Sequence, residues 1–578
     1  MTVSGKNNYL GGNNDMKFPE MPYTRPDMTK ITAEGTALVA AVKNAKNAAE
    51  VMQQYERFKT LCKNIFTQGS LSYIRHSVNT KDEFYDKEND FFDENGPVIE
   101  KLSIDFYREM VNSPFRAELV KELEDFWFVN AELKLKSFDD KIIEEMQKEN
   151  ALCTKYDKLL ASASLDFDGK KVNLSQLRAY QLSPDREVRK AAYAKRTEFF
   201  IENEAELDAI FNELVKLRHA MALKMGHDNF VGLGYIKMHR NSYDADKVKR
   251  FRDQVKKTLV PFLKDMHEQR RKDLEVDKLK FYDEDIYYAG GNPTPKGTPE
   301  EMFAAGKKMY EELSAETKEF FDFMLDRELF DVLAKEGKSG GGYCTFLPDY
   351  GSPFIFANFN GTSEDVDVLT HECGHAFCSY LARNIEILEY QDYTMDVAEI
   401  HSMSMEFFTA DWMRLFFKDE TEKFLHMQLA SALAFIPYGC MVDEFQHIIH
   451  EKPDLTPAER KAVWQKLETE YKPHLDYDGD KFFGKGGHWQ RQAHIYENPF
   501  YYIDYCLAQS CALQYRIWME TNKSAAWKSY IDLLKKAGTR KLTDVVAEAG
   551  LKSPFDGDCI TTLVTGAGSL LEKLAIFA

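Results

Sequence analysis

A chain of 578 residues, 44% hydrophobic and 29% charged, is long enough to bury a large core, as one multi-lobed unit or as roughly two to four domains. A net charge of −19 without a dense Lys/Arg run argues against nucleic acid or an anionic membrane surface as the main partner, because counterion release needs clustered cations. The nine cysteines are scattered without C-x-x-C spacing, and neither an apolar leader nor an 18-residue apolar run is present; the expected location is the cytoplasm.

Residues 1–30, rich in Asn, Gly and Pro, read as an irregular arm over the surface. Residues 31–182 read as a helical lobe, with apolar steps at Val51, Tyr55, Phe58 and Leu61 and breaks at Gly96-Pro97 and Ser113-Pro114. Asp168-Gly169 between alternating flanks predicts a hairpin over Leu165–Val172. The catalytic region is placed at residues 183–578, opening with Ser183 as N-cap and Pro184 in the first turn of a helix that stops at Gly226. Helix resumes over Val248–Asp273. Lys278–Tyr288 has strand composition, and Thr298-Pro299-Glu300-Glu301 carries a capping box. Gly340-Gly341-Gly342 lacks the Lys-Ser/Thr of a phosphate loop and leads into a strand. Pro353–Gly361 is a further strand pattern.

Next comes His371-Glu372-Cys373-Gly374-His375. On a helix the i,i+4 spacing stacks two imidazoles on one face, with Glu372 beside whatever water a metal there would bind. Thr362-Ser363-Glu364-Asp365 predicts a hydroxyl N-cap about two turns earlier. Gly374 costs about 1 kcal/mol inside a helix, which makes sense if another backbone or a ligand approaches closely there. A catalytic zinc needs a third protein ligand. Glu386, Glu389 and Asp392 are too close in sequence to fold back across the metal. Glu399 lies on a second amphipathic helix, Met395–Phe408, sharing a face with Met403 and Glu406; packed against the first helix, it can stand opposite His371 and His375, leaving Glu406 to accept an imidazole N–H. Helices continue through Phe424–Glu451 and Pro457–Tyr471, and a late block from Gln492 to Tyr505 holds His494 and the tyrosines Tyr496, Tyr501, Tyr502 and Tyr505.

His371-Glu372-Cys373-Gly374-His375 with Glu399 and Glu406 resembles the thimet oligopeptidase and oligoendopeptidase F family of zinc metallopeptidases, and the wording of Glu399–Phe408 resembles the oligoendopeptidase F branch. Gly342–Gly361 and Gly486–Gln509 are similar to two further blocks of that family, and the likeness fades toward the N-terminus. The resemblance implies a mainly α, two-lobed, zincin-like fold with a small β-sheet beside the metal helix and a deep channel admitting short unstructured peptides. It implies one Zn²⁺ per chain on His371, His375 and Glu399, Glu372 as general base, and His494 or Tyr505 as donor to the oxyanion. Tyr501 and Tyr502 would meet the peptide. Substrate backbone would add as a strand beside Pro353–Gly361, where Ala357 and Asn358 leave room.

The expected function is hydrolysis of internal bonds in short peptides. Carboxypeptidase-type cleavage is the alternative within that chemistry, and a peptide-binding protein on the same fold is the alternative outside it. Monomer and homo-oligomer are both left open.

Overall fold

The computed structural model describes residues 16–576, so the first half of the expected arm lies outside the described residues. From Met16 onward the arm packs down: Met21 is buried, the Phe18 N–H donates to the Arg327 carbonyl at 2.9 Å, and Tyr23 donates to Glu88 at 2.5 Å. Helix begins at Met28, where Asp27 accepts from the Thr29 and Lys30 N–H groups.

The helices α1 (Met28–Asn44), α2 (Ala48–Val78), α3 (Glu83–Val111), α4 (Arg116–Ser137) and α5 (Ile143–Ala161) follow. The break expected at Gly96-Pro97 does not occur. Pro97 lies inside α3, and the Asp93 carbonyl that its missing N–H leaves unserved accepts instead from Asn150 Nδ2 of α5 at 3.1 Å. Helices α1 to α4 enclose their own core, in which Phe58 stacks on Phe106 at 3.9 Å beside Trp127. The hairpin β1 (Leu165–Phe167) and β2 (Lys170–Val172) turns at Asp168-Gly169, both at positive φ.

Next come α6 (Leu174–Gln181), α7 (Arg186–Lys224), α8 (Phe230–Lys237), α9 (Ala245–Gln254) and α10 (Val260–Asp273). The cap of α7 is Asp185, not Ser183, because the carboxylate of Asp185 reaches the Glu187 and Val188 N–H groups. Lys278–Tyr288 is not a strand. Asp283 is fully buried there, held by Arg186 and Arg189 and by the Lys280 N–H, and closing on these three partners bends the chain into a 3-10 turn, Phe281–Asp283. Buried charge satisfaction overrides β propensity. Helices α11 (Pro299–Leu313), with the expected Thr298–Glu301 capping box, and α12 (Ala315–Asp326) lead to the sheet.

That sheet holds β3 (Phe330–Leu333), β4 (Tyr343–Leu347) and β5 (Ser352–Phe359) in the order β3-β5-β4, with β5 parallel to β3 and antiparallel to β4. It lies against α13 (Glu364–Ala382), which packs on α14 (Met395–Phe408). The chain continues through α15 (Met413–Phe417), α16 (Thr421–Glu451), α17 (Pro457–Tyr471), α18 (Ala493–Glu497), α19 (Tyr502–Leu534), α20 (Leu542–Glu548) and α21 (Cys559–Ala575). One 18-residue window within Met395–Glu451 reaches a mean hydropathy of 1.3, enough by composition to cross a membrane, but 72% of it is buried in this protein, where it forms core. A cavity of about 1150 Å³ opens between the N-terminal helices and the later ones, with Tyr73 and Asp157 on one wall, Tyr438 and His494 on the other, and Asn358 and Glu406 at its floor.

Candidate metal centre and active site

The two helices that carry the centre cross at Gly374. A Cβ there would lie 2.6 Å from Ser402 Cα and 2.7 Å from the His401 carbonyl oxygen, so the close approach expected from a glycine inside a helix is the backbone of α14. Gly374→Ala is therefore expected to force the helices apart, costing about 1–3 kcal/mol and weakening metal retention together; thermal denaturation and metal analysis of the same sample check both.

At this crossing His371 Nε2 lies 3.2 Å and His375 Nε2 3.5 Å from Glu399 Oε2, and the three ligand atoms fall within 4.8 Å of one another. Donors around a tetrahedral zinc at about 2.0–2.2 Å stand roughly 3.3 Å apart, so this trio fits a zinc-sized cation. Glu399 is fully buried and tied on both oxygens: Ser402 Oγ donates to Oε2 at 2.9 Å and the Tyr501 hydroxyl donates to Oε1. Glu406 Oε1 takes the other ring nitrogen of His371 at 2.6 Å, as expected for a carboxylate that orients a ligand imidazole. Burial works against a charge on His371, and Glu399 and Glu406 outweigh it; a cation binding there displaces a proton.

Glu372 sits beside the trio, 5% exposed, with Oε2 buried and without a hydrogen-bond partner among the described residues. Burial raises its pKa, opposed by the neighbouring imidazoles. Glu372 Oε2 is thus a carboxylate oxygen that accepts no protein hydrogen bond and stays free to take a proton. Gly342, just before β4, faces it: a Cβ on Gly342 would lie 3.4 Å from Glu372 Oε1. The expected hydroxyl cap of α13 is absent. Ser363 makes no capping bond, and Asp365 inside the first turn accepts the Asn360 and Gly361 N–H groups at 2.9 and 2.8 Å instead, fixing the turn between β5 and α13.

The late block closes the other side. Phe500 has φ of 68°, a bend held by Gln446 Oε1 on its N–H and by Arg240 on its carbonyl. Asp504, in the first turn of α19, pairs with Arg240 at 2.8 Å and accepts from Tyr243 at 3.1 Å. With that turn pinned, His494 Nε2 reaches the Tyr505 hydroxyl at 3.1 Å, and Tyr502 packs its ring on Tyr505 and His494. Burial pulls the His494 pKa down to about 4, so the imidazole is neutral at pH 7, and burial holds the Tyr505 hydroxyl well above its usual range.

Tyr501, expected at the peptide, has its hydroxyl on Glu399. Strand addition at Ala357 and Asn358 is corrected. β5 is the central strand, with β3 and β4 on its two edges; Ala357 is fully buried with its carbonyl on Lys338, and Asn358 Nδ2 is spent on the Ser339 and Gly341 carbonyls. The edge beside Glu372 belongs to β4 and the glycine run before it, and among the described residues β4 pairs with β5 alone. Sequence reasoning missed Ser402, Gln492 and Tyr438. The last two extend the His494 chain, Gln492 Nε2 to His494 Nδ1 at 2.9 Å and the Tyr438 hydroxyl to Gln492 Oε1 at 2.9 Å. Only the Glu399-x-x-Ser402 spacing was visible in advance.

The chain matches the Peptidase M3 N-terminal domain over residues 18–138 and Peptidase family M3 over residues 179–565. It is 26% identical over 496 residues to oligopeptidase PepF of Bacillus subtilis (strain 168), covering 76% of this chain and 69% of that relative. A solved structure of PZ peptidase A with inhibitor 2 is 46% identical and superposes with a TM-score of 0.96, covering 97% of this chain and 100% of that one. Oligoendopeptidase-F from Enterococcus faecium, 16% identical with a TM-score of 0.62 over 95% of this chain and 97% of that one, shares the fold. The chain thus belongs to peptidase family M3, and its relatives place it on the oligoendopeptidase F branch.

Proposed function

We propose that the protein is a zinc-dependent endopeptidase of short unstructured peptides. The observation that carries this reading is the His371–His375–Glu399 trio, within 4.8 Å, beside the buried and unpartnered Oε2 of Glu372. His371, His375 and Glu399 would hold one zinc ion, with Glu406 orienting His371 and Tyr501 and Ser402 orienting Glu399. Bound there, zinc supplies Lewis acidity, lowering the pKa of water at the site and polarising the scissile carbonyl. Glu372 takes a proton from the attacking water and passes it to the leaving nitrogen. The edge of β4, which pairs with β5 alone among the described residues, would take the peptide backbone as an added strand. Tyr502, on the cavity wall, meets the chain beyond it.

Tyr505 supplies the oxyanion donor. Gln492 Nε2 donates to His494 Nδ1, which leaves the neutral imidazole its proton on Nε2 to donate to the Tyr505 oxygen, so the Tyr505 hydroxyl hydrogen is free for the substrate. Tyr505→Phe is expected to lower kcat by about 10²–10³ while leaving metal content, thermal midpoint and KM near the parent. A parental kcat with a lowered midpoint would make Tyr505 structural. All nine cysteines are unpaired, which supports a cytoplasmic location.

The test is mass-spectrometric digestion of a mixed peptide library by the zinc-loaded protein. Internal cuts in short peptides that cease on chelation support the reading. Products released only from C-termini would make it a carboxypeptidase, and no cleavage at all would overturn it.

A further inference from the structure

The wall of the cavity carries two arginines that the chemistry above does not use. Arg196 projects from α7, and Arg491 ends the short turn before α18; both line the cavity. Arg196 donates one bond, Nη1 to Gln181 Oε1 at 3.3 Å, and its Nε is buried without a partner. Arg491 stands 5.8 Å from the Tyr438 ring and also has a buried, unpartnered Nε. Neither has a carboxylate partner among the described residues. Other cations on the same wall do: Arg178 holds Asp285 and Glu364, Lys472 holds Glu284, and Lys338 holds Asp331. Arg270, at 5% exposure, is like Arg196 and Arg491 in having no carboxylate partner among the described residues; it donates to the Glu284 carbonyl and keeps a buried, unpartnered Nε and Nη2. Asp285, which acts electrostatically on Arg491, is engaged by Arg178 at 2.8 Å.

Two half-buried guanidinium groups, each with a buried, unpartnered Nε and no carboxylate partner, carry a desolvation cost, and in a chain of net charge −19 carboxylates to neutralise them are not scarce. Burial, and then the charge of Arg491, pull the Arg196 pKa down to about 10, while the groups around Arg491 outweigh its burial and raise its pKa. The planar fork of arginine matches a carboxylate in bidentate fashion. The pair also adjoins the reacting groups: Tyr438, which flanks Arg491, begins the hydrogen-bonded chain through Gln492 and His494 to Tyr505.

We propose that Arg196 and Arg491 form a carboxylate-binding subsite of the cavity that anchors one end of the substrate, taking the C-terminal carboxylate of a short peptide or an acidic side chain near it. The proposal rests on the peptidase reading. A carboxylate seated on the pair fixes how far the chain extends toward Tyr505, and so which bond is cut.

Three peptides of one parent sequence separate the sources: the free acid, its C-terminal amide, and the amide with glutamate in place of its last residue. Their equilibrium binding is measured by fluorescence anisotropy on the zinc-loaded Glu372→Gln protein, and their cleavage on the parent. The free acid should bind roughly tenfold more tightly than the amide. Arg196→Met or Arg491→Met, introduced into the same background, should abolish that difference; Arg491→Lys should keep part of it. If the glutamate amide recovers the tighter binding, the subsite reads acidic side chains as well. Equal binding of all three peptides to the unaltered subsite overturns the proposal, whether or not the arginine variants fold. Peptide cleavage with no such discrimination sinks the subsite alone, while discrimination without cleavage leaves the subsite standing and sinks the peptidase reading.

Discussion

Glu372→Gln should lower kcat/KM by about ten-thousandfold, the upper end of what a positioned proton-transfer group contributes, and leave bound zinc at the parent level. The separation is possible because Glu372 ligates nothing in the centre: its Oε2 is buried without a partner, while the cluster of ligand atoms is made by His371, His375 and Glu399. Glutamine keeps the volume and removes only the capacity to hold the proton. Since burial already raises the Glu372 pKa, replacing it with a neutral side chain relieves a desolvation cost, and the thermal midpoint should stay level or rise. A variant that turns over within tenfold of the parent would remove Glu372 from the mechanism.

Glu399→Ala is expected to abolish both metal retention and peptide hydrolysis, with no rescue by added zinc. The alanine deletes one of the three clustered donors that would hold the ion and also leaves the Tyr501 and Ser402 hydroxyls without their acceptor inside a closed core. Glu406→Gln is the contrasting case. It only weakens the orientation of His371, so zinc affinity should fall about 10–100-fold and excess zinc should restore turnover. Metal analysis across a zinc titration reads both variants. If Glu399→Ala held zinc as tightly as Glu406→Gln, the third ligand would have to be another residue.

The clustering of His371, His375 and Glu399 was legible in sequence because its parts obey local geometry. An i,i+4 histidine pair needs only a helix, and Glu399 stood out as a carboxylate on a face of Met and Phe. Gly374 announced a close approach without saying of what. The strand errors have a different origin. A run such as Pro353–Phe359 reads the same at an edge as in the middle, because position within a sheet depends on Phe330–Leu333 and Tyr343–Leu347, and pairing is not encoded in the strand itself. Lys278–Tyr288 misled because the buried Asp283 answers to Arg186 and Arg189, more than ninety residues earlier. Pro97 depended on Asn150, two helices further along. The role of Tyr501 was hidden for the same reason: nothing near residue 501 in the chain points to residue 399.

The contact at Gly374 bears on how the protein would stand without the proposed ion. With Ser402 Cα and the His401 carbonyl against the glycine, α14 has no room to slide along α13, and Glu399 is further tethered by Tyr501 and Ser402. The ligand atoms are thus brought together by packing that exists before any cation arrives. Small zinc domains draw their folding free energy from the metal, and chelators unfold them. Here the ordering cost is already met by a large core, so intrinsic zinc affinity should appear almost undiluted as observed affinity. Stripped protein should keep its helical content and cooperative melt, and zinc should raise the midpoint only by the mass-action increment, RT ln(1 + [Zn]/Kd).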